Sequence, residues 1–172
     1  MPLSSRWVIP APKKSLVVGV ADMIASNDGA AEIVTYSLGS CLGVTVYDPL
    51  KKIGGLLHLM LPDSRIDPAK AVTAPFMFVD TGVPRLFKAV YSLGGDRARL
   101  MVKVAGGAQF LDPERRFNIG ERNILSLRDL LARNGITLQA QDVGGFSSRT
   151  LRLNMSNGNV TISSPGTNPY ML

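Results

Sequence analysis

The chain contains one cysteine and one histidine, and these two side chains are the first candidates for chemistry. Cys41 follows the run Leu38-Gly39-Ser40, and His58 stands seventeen residues later in the sequence. A thiol beside an imidazole can act as a nucleophile with its general base. Whether this pair does chemistry depends on whether the fold brings the two side chains together.

Both residues also have ordinary structural interpretations. A single cysteine is most often a buried small hydrophobe, and a histidine among leucines is most often a hydrogen-bonded core residue. A metal site is disfavoured, because one cysteine and one histidine are available and no carboxylate stands at ligand spacing. The sequence therefore predicts no metal and no cofactor, and it leaves the nucleophile and core interpretations open.

The residues before Cys41 are suited to a nucleophile. Gly39 allows the backbone to approach a substrate closely. Backbone N–H groups near Ser40 and Cys41 could form an oxyanion hole, and a nearby histidine would favour the reactive thiolate. Gly39 and Ser40 are therefore predicted to form the oxyanion and substrate loop.

A predicted hairpin lets the placement of Cys41 and His58 be tested from spacing alone. If Pro49-Leu50 is a two-residue loop, Cys41 directly faces His58. If the loop is Pro49–Lys52, Cys41 faces Met60 and His58 lies one diagonal step away on the same face of the sheet. An odd loop or a bulge would place the pair on opposite faces.

Other segments read as strands and two helices. One helix is expected to begin near Thr81 as N-cap, with Pro84 in its first turn, and to end at Gly94-Gly95. The second is expected from Gly120 to Arg133, ended by Asn134-Gly135. The predicted strands are rich in valine, isoleucine and threonine: Leu16–Val20, Glu32–Leu38, Leu42–Tyr47, Gly54–Leu61, Arg99–Val104, Ile136–Gln141, Leu151–Met155 and Asn159–Ser163.

This order of elements predicts an α+β fold with a mixed or antiparallel sheet, because the chain does not alternate regularly between strand and helix. Residues 15–163 are expected to form one domain. Residues 1–14 read as a flexible N-terminal extension, 63–75 as a long polar loop and 164–172 as a loose C-terminal tail.

Composition narrows the function classes. The 172 residues carry a formal net charge of +6, and the basic residues are scattered rather than gathered in a stripe. Nucleic-acid binding is therefore disfavoured, whereas an acidic protein partner is compatible with the charge. The start of the chain does not read as a secretory signal, no segment is long and apolar enough to span a bilayer, and a lone cysteine cannot form an internal disulfide. A cytoplasmic location is expected.

Several motifs resemble the chemoreceptor glutamine deamidase family, CheD. The resemblance extends over roughly residues 15 to 163, and the block from Thr35 to Ser64 is its most specific part. The matching segments are Thr35-x-x-Leu38-Gly39-Ser40-Cys41, Tyr47-Asp48-Pro49, Ile53-Gly54-Gly55, His58-Leu59-Met60-Leu61-Pro62-Asp63-Ser64, Asp80, Lys103–Ala108, Ile119–Asn123, Asp142-x-Gly144-Gly145 and Arg149.

The resemblance implies a fold and an activity. The fold would be a layered α/β sandwich with mixed sheets and two main helices, similar to the deamidating cytotoxic necrotizing factor toxins. The activity would be that of a cytoplasmic cysteine hydrolase that converts receptor glutamines to glutamates, with glutamyl methyl esters as further substrates. The family's catalytic residues fall on Cys41, His58 and Thr35; spacing alone does not single out Thr35.

The resemblance also implies partners. Chemoreceptor cytoplasmic helices would be the protein substrate, a CheC-type phosphatase of the response regulator a binding partner, and the protein a monomer. Neither nucleic acid nor membrane insertion is expected. The alternative is a non-catalytic binding protein that regulates a CheC-type phosphatase.

Overall fold

The computed structural model describes residues 14–109 and 117–172. The predicted N-terminal extension lies outside these ranges except for Lys14. Within them the chain forms ten strands and three α-helices: β1 (Lys14–Val17), β2 (Asp22–Ser26), β3 (Ala31–Leu38), β4 (Leu42–Asp48), β5 (Ile53–Leu59), α1 (Pro68–Thr73), α2 (Val79–Ser92), β6 (Met101–Gly106), α3 (Ile119–Arg133), β7 (Leu138–Val143), β8 (Arg149–Asn154), β9 (Val160–Ser163) and β10 (Tyr170–Met171).

The strands form two mixed sheets of five strands each. The first, here called the outer sheet, has the order β1-β3-β8-β9-β10, and the second, the middle sheet, has the order β2-β5-β4-β6-β7. Only the β1–β3 and β6–β7 pairs among the described strands are parallel. The α+β class with mixed sheets is therefore confirmed.

Two hydrophobic cores divide the molecule into three layers. One core lies between the two sheets and the other lies between the middle sheet and helices α2 and α3. Every residue of β4 and β5 is buried, because both faces of these central strands are covered. Alternate residues of β4 therefore point to the helices and to the outer sheet.

The two main helices form where the apolar stripes predict them. Helix α3 and its end at Asn134 and Gly135 agree with the prediction, and Gly135 has φ +63°. The predicted start of α2 at Thr81 is wrong. The helix begins at Val79, whose N–H bonds to Leu61 O (3.0 Å), so a tertiary contact fixes its first turn.

The position of Pro84 in α2 differs from the prediction. Pro84 stands inside the helix rather than in its first turn. Thr81 does not cap the helix; its hydroxyl donates to Pro75 O at 2.5 Å. The helix continues to Ser92, and the following Gly94 takes φ +104°.

The remaining differences lie in short elements. All eight predicted strands are present with shifted ends, and β2 and β10 are additional. The predicted polar loop at 63–75 contains helix α1, capped by the Asp67 carboxylate at Lys70 N–H. The prediction of a loose tail is wrong for its last residues, because β10 pairs with β9.

Candidate functional site

The register of β4 against β5 decides where the cysteine and the histidine lie. Gly43 pairs with His58, and the loop between the strands is therefore Pro49–Lys52. The four-residue alternative is confirmed. The two-residue loop Pro49-Leu50, which places Cys41 directly opposite His58, is wrong.

The carboxylate of Asp48 holds this loop at four residues. Its Oδ1 accepts from the N–H groups of Leu50 (3.0 Å) and Lys51 (3.1 Å), and Lys52 N–H bonds to the Asp48 carbonyl at 2.9 Å. Arg99 donates Nε and Nη2 to the same carboxylate, at 3.1 and 2.7 Å. Asp48 is fully buried, and its bond with Arg99 holds the pKa of the carboxyl far below its ordinary value.

Cys41 and His58 share the face of the middle sheet that points to the outer sheet. A Cβ on Gly43, the partner of His58, would meet Leu38 and Leu151 of the outer sheet. Cys41 lies two residues before Gly43 and packs against the core between the sheets. The predicted diagonal arrangement on one face is therefore present.

Thr35 reaches His58 from the opposite sheet. Its Oγ1 lies 2.7 Å from His58 Nδ1 and 2.8 Å from the carbonyl oxygen of Val18. A hydroxyl has one hydrogen to donate, and the Val18 carbonyl can only accept it. Thr35 therefore accepts from His58 Nδ1–H, which leaves Nε2 as the basic nitrogen of the neutral ring.

A bulge in β3 brings Thr35 into this position. The β3–β8 register shifts between Thr35 and Leu38, and Ser37 between them takes φ +57°. The bulge leaves Thr35 and Leu38 both buried against the middle sheet, which strict alternation along a strand would not allow. It lies in β3, so it does not separate Cys41 from His58.

Burial sets the protonation of the site. Burial raises the pKa of the Cys41 thiol above its ordinary value, and the hydrogen bond from the residue's own N–H opposes this effect. Burial also lowers the pKa of His58 to about 4. The resting site therefore holds a neutral thiol and a neutral imidazole at pH 7. The described residues include no Cys41–His58 hydrogen bond, and the buried His58 Nε2 has no partner among them.

The loop that carries the cysteine is anchored through its backbone. The carbonyl oxygens of residues 39–41 each accept a hydrogen bond from a residue outside the loop, in the segment after β6 or in α3. The donors are Ala108 N–H to Gly39 O (2.7 Å), Asn123 Nδ2 to Ser40 O (2.9 Å) and Gly107 N–H to Cys41 O (2.8 Å).

Glycines allow this close approach. A Cβ on Gly106 would lie 2.2 Å from Cys41 O, and one on Gly120 would lie 2.4 Å from Gly107 O. Gly106 and Gly107 also take φ values of +115° and +67°. The end of β6 therefore packs directly onto the backbone of the cysteine loop, and α3 packs onto the end of β6.

Reasoning from the sequence missed two contributors to the site. The Val18 carbonyl carries no signal in the sequence, because any residue supplies one. Asn123 belongs to the Ile119–Asn123 segment that carries part of the resemblance, but the resemblance assigned no role to this residue. Its contact with residue 40 joins positions 83 residues apart and emerges only from the fold.

The described ranges contain no group of three or more histidine, cysteine, aspartate or glutamate residues that could hold a metal ion. No helix within them is long and apolar enough to cross a membrane.

The fold and these side chains define a class of protein. A thiol, an imidazole and a hydroxyl bonded to that imidazole lie between the two sheets of an α+β fold, and these are groups that cysteine hydrolases use. The chain belongs to the CheD family, since the family model described as CheD chemotactic sensory transduction matches residues 60–164.

Relatives match over most of their length. A Syntrophus aciditrophicus (strain SB) protein named "Probable chemoreceptor glutamine deamidase CheD 1" is 47% identical over 151 residues, or 88% of this chain and 94% of the relative. Proteins with the same name without the numeral, from Solibacter usitatus (strain Ellin6076) and Pyrococcus horikoshii, are 46% and 42% identical. These alignments cover 89% and 86% of this chain and 90% of each relative.

Proposed function

We propose that this protein is a chemoreceptor glutamine deamidase in which Cys41 is the nucleophile, His58 the general base and Thr35 the residue that orients the imidazole. The observation that supports the proposal is the hydrogen bond from His58 Nδ1–H to Thr35, which leaves Nε2 as the basic nitrogen of a ring on the same sheet face as Cys41. The names of the relatives supply the substrate class.

The first half of the reaction forms a thioester. His58 Nε2 takes the thiol proton as the Cys41 sulfur attacks the side-chain carbonyl of a receptor glutamine. The N–H groups of Ser40 and Cys41 stabilise the tetrahedral oxyanion. The carbon–nitrogen bond then breaks, His58 returns the proton to the leaving nitrogen, and ammonia departs.

The second half releases glutamate. His58 removes a proton from water, the hydroxide attacks the thioester, and the carbon–sulfur bond breaks with return of the proton to the Cys41 sulfur. The sum is glutamine plus water giving glutamate plus ammonia. A glutamyl methyl ester would pass through the same thioester with methanol as the leaving group, so the site suits both substrates.

The neutral resting pair explains how the site is activated. A thiol with a raised pKa and a histidine with a lowered pKa do not form an ion pair before the substrate arrives. Proton transfer then accompanies attack on the carbonyl. A hydroxyl stabilises the imidazolium less than a carboxylate would, so we expect a modest turnover rate.

Mass spectrometry of receptor cytoplasmic fragments tests the proposal. Incubation with the protein should convert particular glutamines to glutamates, and fragments carrying methyl esters should show whether esters are also cleaved. Cys41→Ala should abolish the conversion, and His58→Gln should lower its rate by about 10²-fold or more. An unchanged rate with Cys41→Ala would contradict the proposed nucleophile.

The proposal extends to partners and location. The protein would act as a cytoplasmic monomer on receptor helices, and a CheC-type phosphatase would be its binding partner. Sedimentation of the purified protein and a pull-down with such a phosphatase test these points. Phosphatase stimulation by Cys41→Ala, with no deamidation by the wild type, would favour the non-catalytic binding role instead.

A further inference from the structure

The cysteine loop has its carbonyl groups and its N–H groups on opposite sides. The carbonyl oxygen of Gly39 accepts from Ala108 N–H just after β6, and that of Ser40 accepts from Asn123 of α3. In a trans peptide the C=O and the following N–H point in opposite directions. Anchoring these two oxygens therefore turns the Ser40 N–H away from Ala108 and the Cys41 N–H away from Asn123.

These two N–H groups remain available. Among the described residues, neither Ser40 N–H nor Cys41 N–H donates to another residue, and the Cys41 N–H interacts only with the sulfur of its own side chain. Oxyanion stabilisation needs donors that are held in place before charge develops and are not used elsewhere. The anchored carbonyls supply the first condition and the free N–H groups the second.

One side chain takes part in this anchoring. Asn123, in the second turn of α3, is fully buried, and its Nδ2 donates to both Ser40 O and Met60 O at 2.9 Å. Met60 lies two residues beyond His58. A single amide group therefore ties the nucleophile loop to the strand end that follows the general base.

The Asn123 amide is committed to donation. Only its NH₂ end can satisfy two carbonyl oxygens at once. Its Oδ1 is buried without a hydrogen-bond partner in the part of the chain that the structure describes. Leaving a buried acceptor unpaired costs free energy. Filling the core therefore does not by itself account for an asparagine at this position.

We propose that Asn123 is a positioning residue that fixes the Cys41 N–H in the direction required for oxyanion stabilisation, an inference that rests on the proposed function. It acts through the Ser40–Cys41 peptide and does not touch the substrate. Loss of Asn123 should destabilise the transition state of acyl transfer. It should change substrate binding and thiol reactivity less.

The chain offers a matched control on the same helix. Ser126, one turn further along α3, donates its hydroxyl to Pro62 O at 2.7 Å. This bond also joins a side chain of α3 to a backbone carbonyl beyond β5. It does not involve residues 39–41, so Ser126→Ala removes a comparable contact without releasing the loop.

Steady-state kinetics with a receptor fragment form the first test. Asn123→Asp keeps the shape but removes the NH₂ donor, and Asn123→Ala removes the whole amide. We expect each to lower kcat roughly 10- to 100-fold with KM changed less than about threefold. Ser126→Ala should stay within about twofold of the wild-type kcat.

Alkylation of Cys41 by iodoacetamide distinguishes a change in the direction of the Cys41 N–H from a displacement of the thiol itself. This reaction develops no oxyanion, so the rate in the Asn123 variants should stay within about threefold of wild type. A parallel fall in alkylation and kcat would mean that the thiol itself is displaced. That result would overturn the proposal.

Amide NMR spectra of the free protein make the test independent of the substrate. The Ser40 and Cys41 amide resonances should move in both Asn123 variants and stay in place in Ser126→Ala. Unmoved resonances, or moved resonances with an unchanged kcat, would overturn the proposal. If the wild type fails to deamidate any receptor fragment while the resonances still move, the proposed function fails and the control of the loop by Asn123 stands.

Discussion

The orientation of His58 depends on a chain of two neutral groups. Thr35 donates to the Val18 carbonyl and so must accept from Nδ1–H, which fixes the tautomer without a carboxylate. Among the described residues no negative charge offsets the burial of the ring, and its pKa falls to about 4. The surroundings therefore keep the His58 ring deprotonated. Protonating the ring should lower the free energy of unfolding.

The unfolding free energy should show the His58 titration. An unfolded histidine titrates near pH 6.5 and the folded one near 4, so between these values the unfolded chain binds the proton and the folded chain does not. As pH falls through this window, the free energy of unfolding should fall. The shift corresponds to about 3 kcal/mol.

His58→Gln isolates this contribution, because glutamine does not titrate. Urea unfolding at pH 7 and at pH 4.5 should show wild type losing roughly 1–3 kcal/mol more than the variant. The carboxylates titrate equally in both proteins and cancel in the difference. Equal losses would show that His58 is not buried as a neutral ring.

The site residues differ in how far the sequence reveals them. Cys41 and His58 could be placed on one face because a hairpin converts sequence spacing into register. Thr35 came from the resemblance alone, since it belongs to the other sheet and strand spacing cannot relate two sheets. The Val18 carbonyl and the contact of Asn123 with Ser40 required the folded structure.

At the scale of elements, the β4–β5 hairpin carries both candidate catalytic groups, and its register rests on Asp48. This buried carboxylate accepts from two loop N–H groups and from Arg99. A loop of any odd length would rotate one strand by a residue and turn His58 away from Thr35. The turn is therefore part of what positions the site.

Asp48→Asn should destabilise the fold strongly. It removes the charge that pairs with Arg99 and replaces one acceptor oxygen by a donor. Breaking a buried ion pair from one side costs roughly 3–5 kcal/mol, and we expect a loss of about 3 kcal/mol in urea unfolding.

Asp96→Asn is the matched control. Asp96 bonds to the same Arg99, but its carboxylate is 49% exposed, and an asparagine can still accept from Ala98 N–H. Its substitution should cost less than about 1 kcal/mol. A similar cost for the two variants would mean that burial of Asp48 does not control the hairpin.

Elements stabilised by their own sequence were predictable, and those set by tertiary contacts were not. Helix α3 has an apolar stripe and an Asn-Gly stop, and its bounds agree with prediction. Helix α2 begins two residues before the expected cap because Val79 bonds to Leu61 across the fold. Strand β2 pairs with β5 along a segment in which Asp22 and Ser26 weaken the strand pattern.

At the scale of the whole molecule, the candidate site exists only where the two sheets meet. The outer sheet supplies Thr35, whereas Cys41 and His58 belong to the middle sheet. Contacts that hold the sheets together therefore also hold the site together. Tyr47 OH to Met155 O (2.9 Å) is one such contact, and the Arg149–Asp142 ion pair is another.

The C-terminal residues add a third link between the sheets. β10 pairs with β9 of the outer sheet, and Leu172 N–H bonds to Val160 O at 2.8 Å. From the same segment, the Tyr170 hydroxyl bonds to Asp142 and the Leu172 carbonyl accepts from Lys103, and both partners lie in the middle sheet. Residues 170–172, the end of the predicted loose tail, thus bond to both sheets, and this segment is here called the strap.

Removal of residues 169–172 should therefore lower stability without abolishing chemistry. The loss of several partly exposed hydrogen bonds should cost roughly 1–3 kcal/mol in urea unfolding. Tyr170→Phe, which removes only the hydroxyl, should cost about 1 kcal/mol. At 25 °C the truncated protein should keep deamidase activity within about threefold of wild type, because Tyr47 and Arg149 still join the sheets. Complete loss of activity in a truncated protein that remains folded by circular dichroism would contradict this, since it would mean that the strap itself sets the distance between Thr35 and His58.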